Sequence, residues 1–526
     1  MNDTDEYDYA IIGSGFGGAV AALRLTEKGY RVCIVEQGKR WVAEDFPKTN
    51  WENRKYYWYP KLKCHGLFNL KLLKHVLVIR GIGVGGGSLV YGNTLITPGN
   101  TFFDTPIMQY VAQGKDLNAY YQQAKEMMGV ATNPQLFDSD FHLRDAAIKN
   151  YPGATFMASP NGIYFGNQEL VDPYFNGNGP KRSGCVFCGG CYLGCRYNAK
   201  NTLDKNYLYF AEKKGCKIIP ETKVIAIIPL SEHGDSGYIL QTEPTISSPK
   251  SIKNIKCKGL VLAAGVLGSI ELLLRSQSKG YLPHISSQLG AHVRTNNENV
   301  VAVRTREKQA RFDRGTAASS SVFLNEHTQI QLNRYSDGAD AIANLTTLMV
   351  DGYSRWGRIL KLLGKTVSHP RDFLHALNPR GFTRQTMLLV VMQDFESEIT
   401  LKLGRRWFWP FAKMLISTSN RNKPSPAYIP EANNFARHLA AEIDGIPLNS
   451  VPEIFLNTPT TSHILGGCVI GRDTKEGVVD RKQQVFGYKN FYICDGSIIP
   501  ANLGVNPALS ILALSEHAMS YIEIKS

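Results

Sequence analysis

Four cysteines fall within eleven residues: Cys185, Cys188, Cys191 and Cys195, in CVFCGGCYLGC. Their C-x₂-C-x₂-C-x₃-C spacing is one that can hold a [4Fe–4S] cluster, although Arg196 stands where a proline usually follows and no second run exists. Three readings stay open: an iron–sulfur site, a zinc site, or reduced structural thiols in a glycine-rich turn. The remaining six cysteines are scattered and read as reduced.

The second chemistry-bearing stretch is YDYAIIGSGFGGAVAALRLTEKGYRVCIVE, residues 7–36. An apolar run ends in Gly13-Ser14-Gly15-Phe16-Gly17-Gly18, a helix pattern follows, and a second apolar run ends on Glu36. This is a βαβ unit carrying the G-x-G-x-x-G dinucleotide fingerprint. Gly13 allows the tight turn, Gly15 lets the backbone approach a pyrophosphate, and Gly18 lets helix and strand pack closely. The helix N-terminus offers free N–H groups, and Glu36 can accept from a ribose hydroxyl. The fingerprint alone does not separate FAD from NAD. A second glycine-rich loop, RGIGVGGGS over 80–88, runs into LVYGNT and suits close approach to a flat ring. GLVLAAG over 259–265 repeats the strand-into-glycine logic, with a helix after it.

These elements must be positioned by a chain of 526 residues, long enough for two domains, with 43% hydrophobic content and a net charge of +14. No nucleic-acid motif appears, so an anionic membrane surface is the more specific reading of the charge, beside solvated lysines. No apolar run reaches membrane-spanning length and the N-terminus leads straight into a strand, so a cytoplasmic protein without a secretory signal is expected. Residues 297–450 change character. QIQLNRY and QTMLLVVMQDFESEITLKL alternate like antiparallel strands, around the basic amphipathic stretch SRWGRILKLLGKTVSHPRDFLHALNPRGFTR. There Trp356, Ile359, Leu360, Leu362 and Leu363 form an apolar helical face beside Arg355, Arg358, Lys361 and Lys365. That face either packs on the body or lies on a membrane. Asn201–Glu212 reads as a helix, and another follows Asn506-Pro507.

Together these segments resemble the glucose–methanol–choline (GMC) flavoprotein oxidoreductases over almost the whole chain. The carriers are the fingerprint, GIGVGGGSLVYGN, AAGVLGS, SHILGGCVIG and DGSIIPANLGVNPALSILALSEHA. The LGGC form and the long tail are similar to the cholesterol oxidase branch. The resemblance implies FAD. It implies an α/β fold: a Rossmann-like FAD-binding domain with an inserted α+β substrate domain on an antiparallel sheet. The expected division is 1–296 and 456–526 for the cofactor part and 297–455 for the substrate part. His463 and Asn506 occupy the two active-site positions. Gly13, Gly15, Phe16, Gly18, Glu36, Val224, Gly265, Asp495 and Gly496 would hold FAD, with Gly83, Gly85, Ser88, Gly92 and Asn93 under the flavin and Asn506 beside it. Tyr91 stands where the branch has asparagine. The glutamate that the branch uses to move a steroid double bond has no clear match; the nearest placement is Asp340, one carbon shorter, so isomerisation does not carry over.

The implied chemistry is oxidation of an alcohol to a ketone or aldehyde. A histidine titrating near neutrality suits the hydroxyl proton, while hydride goes to flavin N5. A 3β-hydroxysteroid is the first expected substrate and a long-chain fatty alcohol the second. The cysteine run bears on the acceptor: oxygen without a cluster, a one-electron carrier with one. A non-turnover flavin protein that binds lipid or senses light is a third class, but it needs neither His463 nor Asn506.

Overall fold

The computed structural model describes residues 6–246, 251–406, 409–420 and 422–526. Its first layer grows from the strand Glu6–Ile12, which is buried on both faces, as an apolar run between parallel neighbours should be. That strand pairs in parallel with Val32–Val35 and with Lys253–Leu262, and Lys217–Ile219 extends the sheet beyond Val32–Val35. On the far side the sheet turns antiparallel through Tyr238–Pro244 and Thr222–Pro229. Lys253–Leu262 also takes the late strand Phe491–Ile493 in parallel, which brings the C-terminal segment back onto the first layer.

The turn after Glu6–Ile12 needs its glycines. Gly13 has φ +97°, and a Cβ there would meet the Ala263 carbonyl oxygen at 2.4 Å. A Cβ on Gly18 would lie 2.1 Å from the Gly13 carbonyl oxygen, so the helix Phe16–Glu27 closes on the strand only because both positions lack side chains.

The second layer is an antiparallel sheet of seven strands. Their order is Thr346–Leu348, Gly445–Ser450, Asn299–Thr305, Thr386–Gln393, Thr328–Asn333, Ser320–Asn325, Thr155–Ala158. Period-two alternation divides its faces. Val303, Ile330, Leu332, Met387 and Leu389 pack under the helices Asp138–Asn150 and Pro430–Glu442. Ala302, Gln331, Asn333, Leu388 and Val390 face the first layer across a cavity. Thr155–Ala158 reaches this sheet from well before residue 297. Conversely, Ile399–Arg406 leaves it to pair with Trp409–Ser419, and Ile399, Leu401 and Leu415 are buried in the core of the first layer.

Local chemistry changes two expected helices. Asn206 accepts from its neighbour's Tyr207 N–H at 2.7 Å and starts a new helix, so 201–212 becomes a short 3₁₀ turn, Leu203–Lys205, followed by Tyr207–Lys213. In Arg355–Ser368 the inward residues are Leu362 and Arg358. Arg358 is therefore no part of an exposed basic face. Its Nη1 lies 3.0 Å from Glu453 Oε1, with both side chains almost fully buried. Trp356, Leu360, Leu363 and Val367 instead point to solvent. Among the described residues no helix is long and apolar enough to cross a membrane.

The Arg358–Glu453 pair fastens this helix to the helix Val451–Leu456. Removing one partner strands the other charge without water. Arg358→Met should cost about 3–5 kcal/mol in urea denaturation; an unchanged midpoint would show that the pair carries no stability.

Candidate active site

A cavity of about 750 Å³ lies between the two sheets, outside the carboxyl ends of the parallel strands. One end is built for a dinucleotide. The helix Phe16–Glu27 starts at Gly15 without a side-chain cap, which leaves first-turn N–H groups for an anion, and a Cβ on Gly15 would meet nothing within 4 Å. Glu36 is buried beside them. It accepts from Ser14 N at 3.1 Å, Ser14 Oγ at 2.8 Å and Gly38 N at 2.9 Å. Burial outweighs these bonds and raises its pKa. The Gly83 N–H faces the same carboxylate. Val224 lies on the same wall. Asp495 accepts from Ser269 Oγ at 2.5 Å and Ser497 N at 2.8 Å, and burial raises its pKa as well.

Gly13, Gly15, Phe16, Glu36, Gly92, Val224, Gly265, Asp495, Gly496 and Asn506 all line this cavity. Gly18, Gly83, Gly85, Ser88 and Asn93 stand behind its wall. Ser14 Oγ, whose proton goes to Glu36, accepts from Gly85 N at 3.1 Å, so it ties the two glycine loops together. Ser88 Oγ donates to Gly85 O at 2.6 Å and accepts from Leu203 N. Asn93 is fully buried with φ +67°. Tyr91 lines the cavity, with its hydroxyl donating to Asn201 O at 2.8 Å.

The other end brings together the two expected active-site residues. His463 Nε2 lies 3.2 Å from Asn506 Nδ2, and His463 Nδ1 lies 3.1 Å from Glu298 Oε2. Asn506 and Gln331 form a reciprocal amide pair at 3.1 and 3.3 Å, and Gln331 Nε2 also donates to Thr94 Oγ1 at 3.2 Å. Glu298 further accepts from Thr461 Oγ1 at 2.7 Å, Ser462 N at 3.0 Å and Ser462 Oγ at 3.1 Å. Burial pushes the Glu298 carboxyl up, but His463, Thr461 and Ser462 together hold it below the ordinary value. Its contribution to stability is therefore complete above about pH 4.3 and lost as acid passes through the lower folded value.

Three consecutive residues set this geometry. Asn296 and Asn297 are left-handed, at φ +55° and +38°, a conformation asparagine tolerates better than most residues. Asn296 Oδ1 accepts from Leu503 N and Gly504 N at 2.9 and 3.0 Å, and its Nδ2 donates to Val505 O at 3.0 Å. It thus clamps the loop that ends in Asn506, while Glu298 clamps the loop that ends in His463.

Glu298, Gln331 and Asn296 were not anticipated from sequence. The visible signals were an asparagine–glutamate cluster, TNNENV, opening a strand, and a polar residue at an inward position of QIQLN. Asp340 is a correction. It does not line the cavity, and its carboxylate is spent on Gly381 N, Thr383 N and Thr383 Oγ1, at 2.8 to 3.2 Å.

Residues 178–294 and 421–515 match the two models described as GMC oxidoreductase, and 11–42 match an NAD(P)-binding Rossmann-like domain. A cholesterol oxidase of Acinetobacter baumannii is 43% identical over 99% of this chain and 95% of its own. A cholesterol oxidase of Mycobacterium tuberculosis is 41% identical over 98% and 91%. A long-chain-alcohol oxidase of Arabidopsis thaliana is 23% identical over 96% of this chain and 65% of its own. Among solved structures, pyridoxine 4-oxidase from Mesorbium loti superposes with a TM-score of 0.63 at 13% identity, covering 98% of both chains, which speaks for the shared fold. With a dinucleotide cradle at one end of its cavity and a histidine–asparagine pair at the other, the chain belongs to the GMC oxidoreductases, FAD-dependent enzymes that oxidise alcohols.

Proposed function

We propose that the chain oxidises a 3β-hydroxysteroid of the cholesterol type to its ketone. The observation that carries this is the His463–Asn506 pair, set 3.2 Å apart in a cavity whose sheet side is largely apolar. Ala302, Leu388 and Val390 suit a rigid hydrocarbon body, and the relatives at 41–43% identity are named cholesterol oxidases. The plant long-chain-alcohol oxidase, at 23%, makes a fatty alcohol the weaker reading.

FAD would be held by Gly13, Gly15, Phe16, Glu36, Val224, Gly265, Asp495 and Gly496, with the Gly83–Asn93 loop shaping the wall beside its ring. When bound, FAD supplies the acceptor for the hydride that leaves the carbinol carbon. The chain's own task is the proton. Glu298 faces Nδ1 of His463, which favours the tautomer with Nε2 unprotonated. A hydroxyl between the pair donates to Nε2 and accepts from Asn506 Nδ2. As the proton moves to His463, the fixed Glu298 carboxylate stabilises the imidazolium. Gln331 keeps the Asn506 amide turned toward the hydroxyl.

The same lining speaks against isomerisation. Glu36 and Asp495 belong to the cofactor end, Glu271 is paired with Arg275 at 2.7 Å, and Glu298 is engaged with His463. The amide that touches the pair, Gln331, and its partner Thr94 cannot shuttle a proton between ring carbons.

Peripheral contact with an anionic lipid surface belongs to this reading. Trp356, Leu360, Leu363 and Val367 form an exposed stripe at i, i+4, i+7 and i+11, beside exposed Arg355 and Lys361. The helices Arg355–Ser368 and Pro370–Leu377 pack on the strand Thr346–Leu348, which frames the sheet end of the cavity through Thr346, beside Leu345 of the preceding turn.

His463→Ala should retain bound FAD and lose roughly 10²–10⁴-fold in kcat with cholesterol; full turnover would remove His463 from the chemistry. Glu298→Gln should retain FAD and lose kcat by roughly 10²-fold or more, with KM little changed. The product should keep its ring double bond in place, so no conjugated-enone absorbance should grow during turnover. Trp356→Glu with Leu360→Glu should abolish sedimentation with anionic vesicles and preserve turnover of detergent-dispersed sterol; undiminished sedimentation would place the contact elsewhere.

A further inference from the structure

The oxidation chemistry leaves Cys185, Cys188, Cys191 and Cys195 unused, yet all four line one small second cavity. This cavity backs onto the loop that walls the FAD site. Lys200, on its lining, donates through Nζ to Leu89 O at 2.9 Å, Tyr91 O at 3.0 Å and Cys191 O at 2.8 Å. Tyr91, Gly92 and Tyr192 face the larger cavity from the other side, so a single layer of chain separates the two.

The four sulfurs are all approached by hydrogen-bond donors. Phe187 N–H donates to Cys185 Sγ at 3.4 Å and Ala199 N–H to Cys195 Sγ at 3.3 Å. The N–H groups of Gly190 and Ala317 face Cys188 and Cys191. The Asn93 side chain, fully buried and without a hydrogen bond of its own, also faces the Cys191 sulfur. Neutral thiols need no such set of donors, whereas metal-bound thiolates use them to spread their charge.

Charge balance points the same way. Lys200 and Arg182 are each 2% exposed, and their hydrogen-bond acceptors are neutral: the carbonyls above for Lys200, and Asn198 O, Lys200 O and Asn201 Oδ1 for Arg182. Two buried cations with neutral hydrogen-bond partners are costly unless anions lie near. Asp204 acts on both, and a cluster held by four thiolates would supply the further negative charge.

Sulfur spacing bears on the kind of metal. All four cysteines are free of disulfides. Among the described residues, no three of these sulfurs lie within 4.8 Å of one another. One zinc ion with bonds of about 2.3 Å would draw its sulfurs to roughly 3.8 Å apart. A polynuclear cluster bonds each cysteine to a different iron and does not need three sulfurs that close together.

We propose that Cys185, Cys188, Cys191 and Cys195 hold a [4Fe–4S] cluster behind the Leu89–Asn93 wall of the FAD cavity, with Lys200 and Arg182 compensating its charge. The test uses the full chain with its FAD, purified without oxygen and also reconstituted with ferrous iron and sulfide. Iron and acid-labile sulfide should each reach about four per chain, and dithionite should produce the electron paramagnetic resonance signal of a reduced cluster. Cys188→Ser with Cys191→Ser should lose iron and sulfide and keep FAD, while Cys216→Ser, outside the run, should keep both. Less than one iron per FAD-containing chain after reconstitution, one zinc in its place, or full iron in the double variant would each overturn the proposal. If the double variant also loses FAD, the iron and sulfide content of the unaltered chain decides by itself.

Discussion

The contact between the buried Glu298 carboxylate and the loop carrying His463 is the constraint on which the geometry of the His463–Asn506 pair depends. A carboxylate taken out of water must be fully satisfied, and Glu298 finds Thr461, Ser462 and His463 to do so. The same requirement that keeps Glu298 from being an isolated buried charge also fixes the imidazole. Because Asn296, two residues earlier, holds Leu503, Gly504 and Val505, one short turn sets the separation of His463 and Asn506. The turn lies where the chain leaves the first layer for the second, so relative motion of the two sheets would register directly in the pair.

The two layers meet the cavity with different physics. The parallel sheet contributes backbone: glycine turns, an uncapped helix N-terminus and a few buried carboxylates, which suits phosphates and ribose. The antiparallel sheet contributes side chains, with one face committed to its helices and the other presenting apolar residues and a few amides. Each face does what its strand pairing allows. Strands buried on both sides offer only their ends, while a sheet covered on one side can offer a whole face. The wall behind Tyr91 poses the same electrostatic problem as Glu298, with sign reversed: Lys200 and Arg182 hydrogen-bond to neutral acceptors, and the negative groups that act on them include Asp204 and the cysteine run.

Much of this was legible in the sequence because it is local. Gly13, Gly15 and Gly18 report on one turn, Glu36 on the end of the next strand, and the alternation in QIQLN and QTMLLVVM on a sheet with one face against a core. The spacing of the four cysteines was visible too, but left an iron–sulfur site, a zinc site and structural thiols all open. His463 and Asn506 were legible through their surrounding motifs, GVNP and SHILGG, which carry the family resemblance.

What only the tertiary structure decided involves partners far apart in the chain. Glu298 and His463 are 165 positions apart, and Gln331 and Asn506 are 175. No periodicity links such residues. Asp340 looked available because sequence shows a carboxylate without showing the N–H groups of Gly381 and Thr383 that occupy it. Arg358 looked like surface charge because its spacing matched Arg355 and Lys361, and only the position of Glu453 turns it inward. The sequence by itself determined which segments become strands, turns and helix starts, since those follow from side-chain period and backbone freedom. Folding decided which polar groups satisfy one another in the interior, because that depends on which distant segments exclude water together.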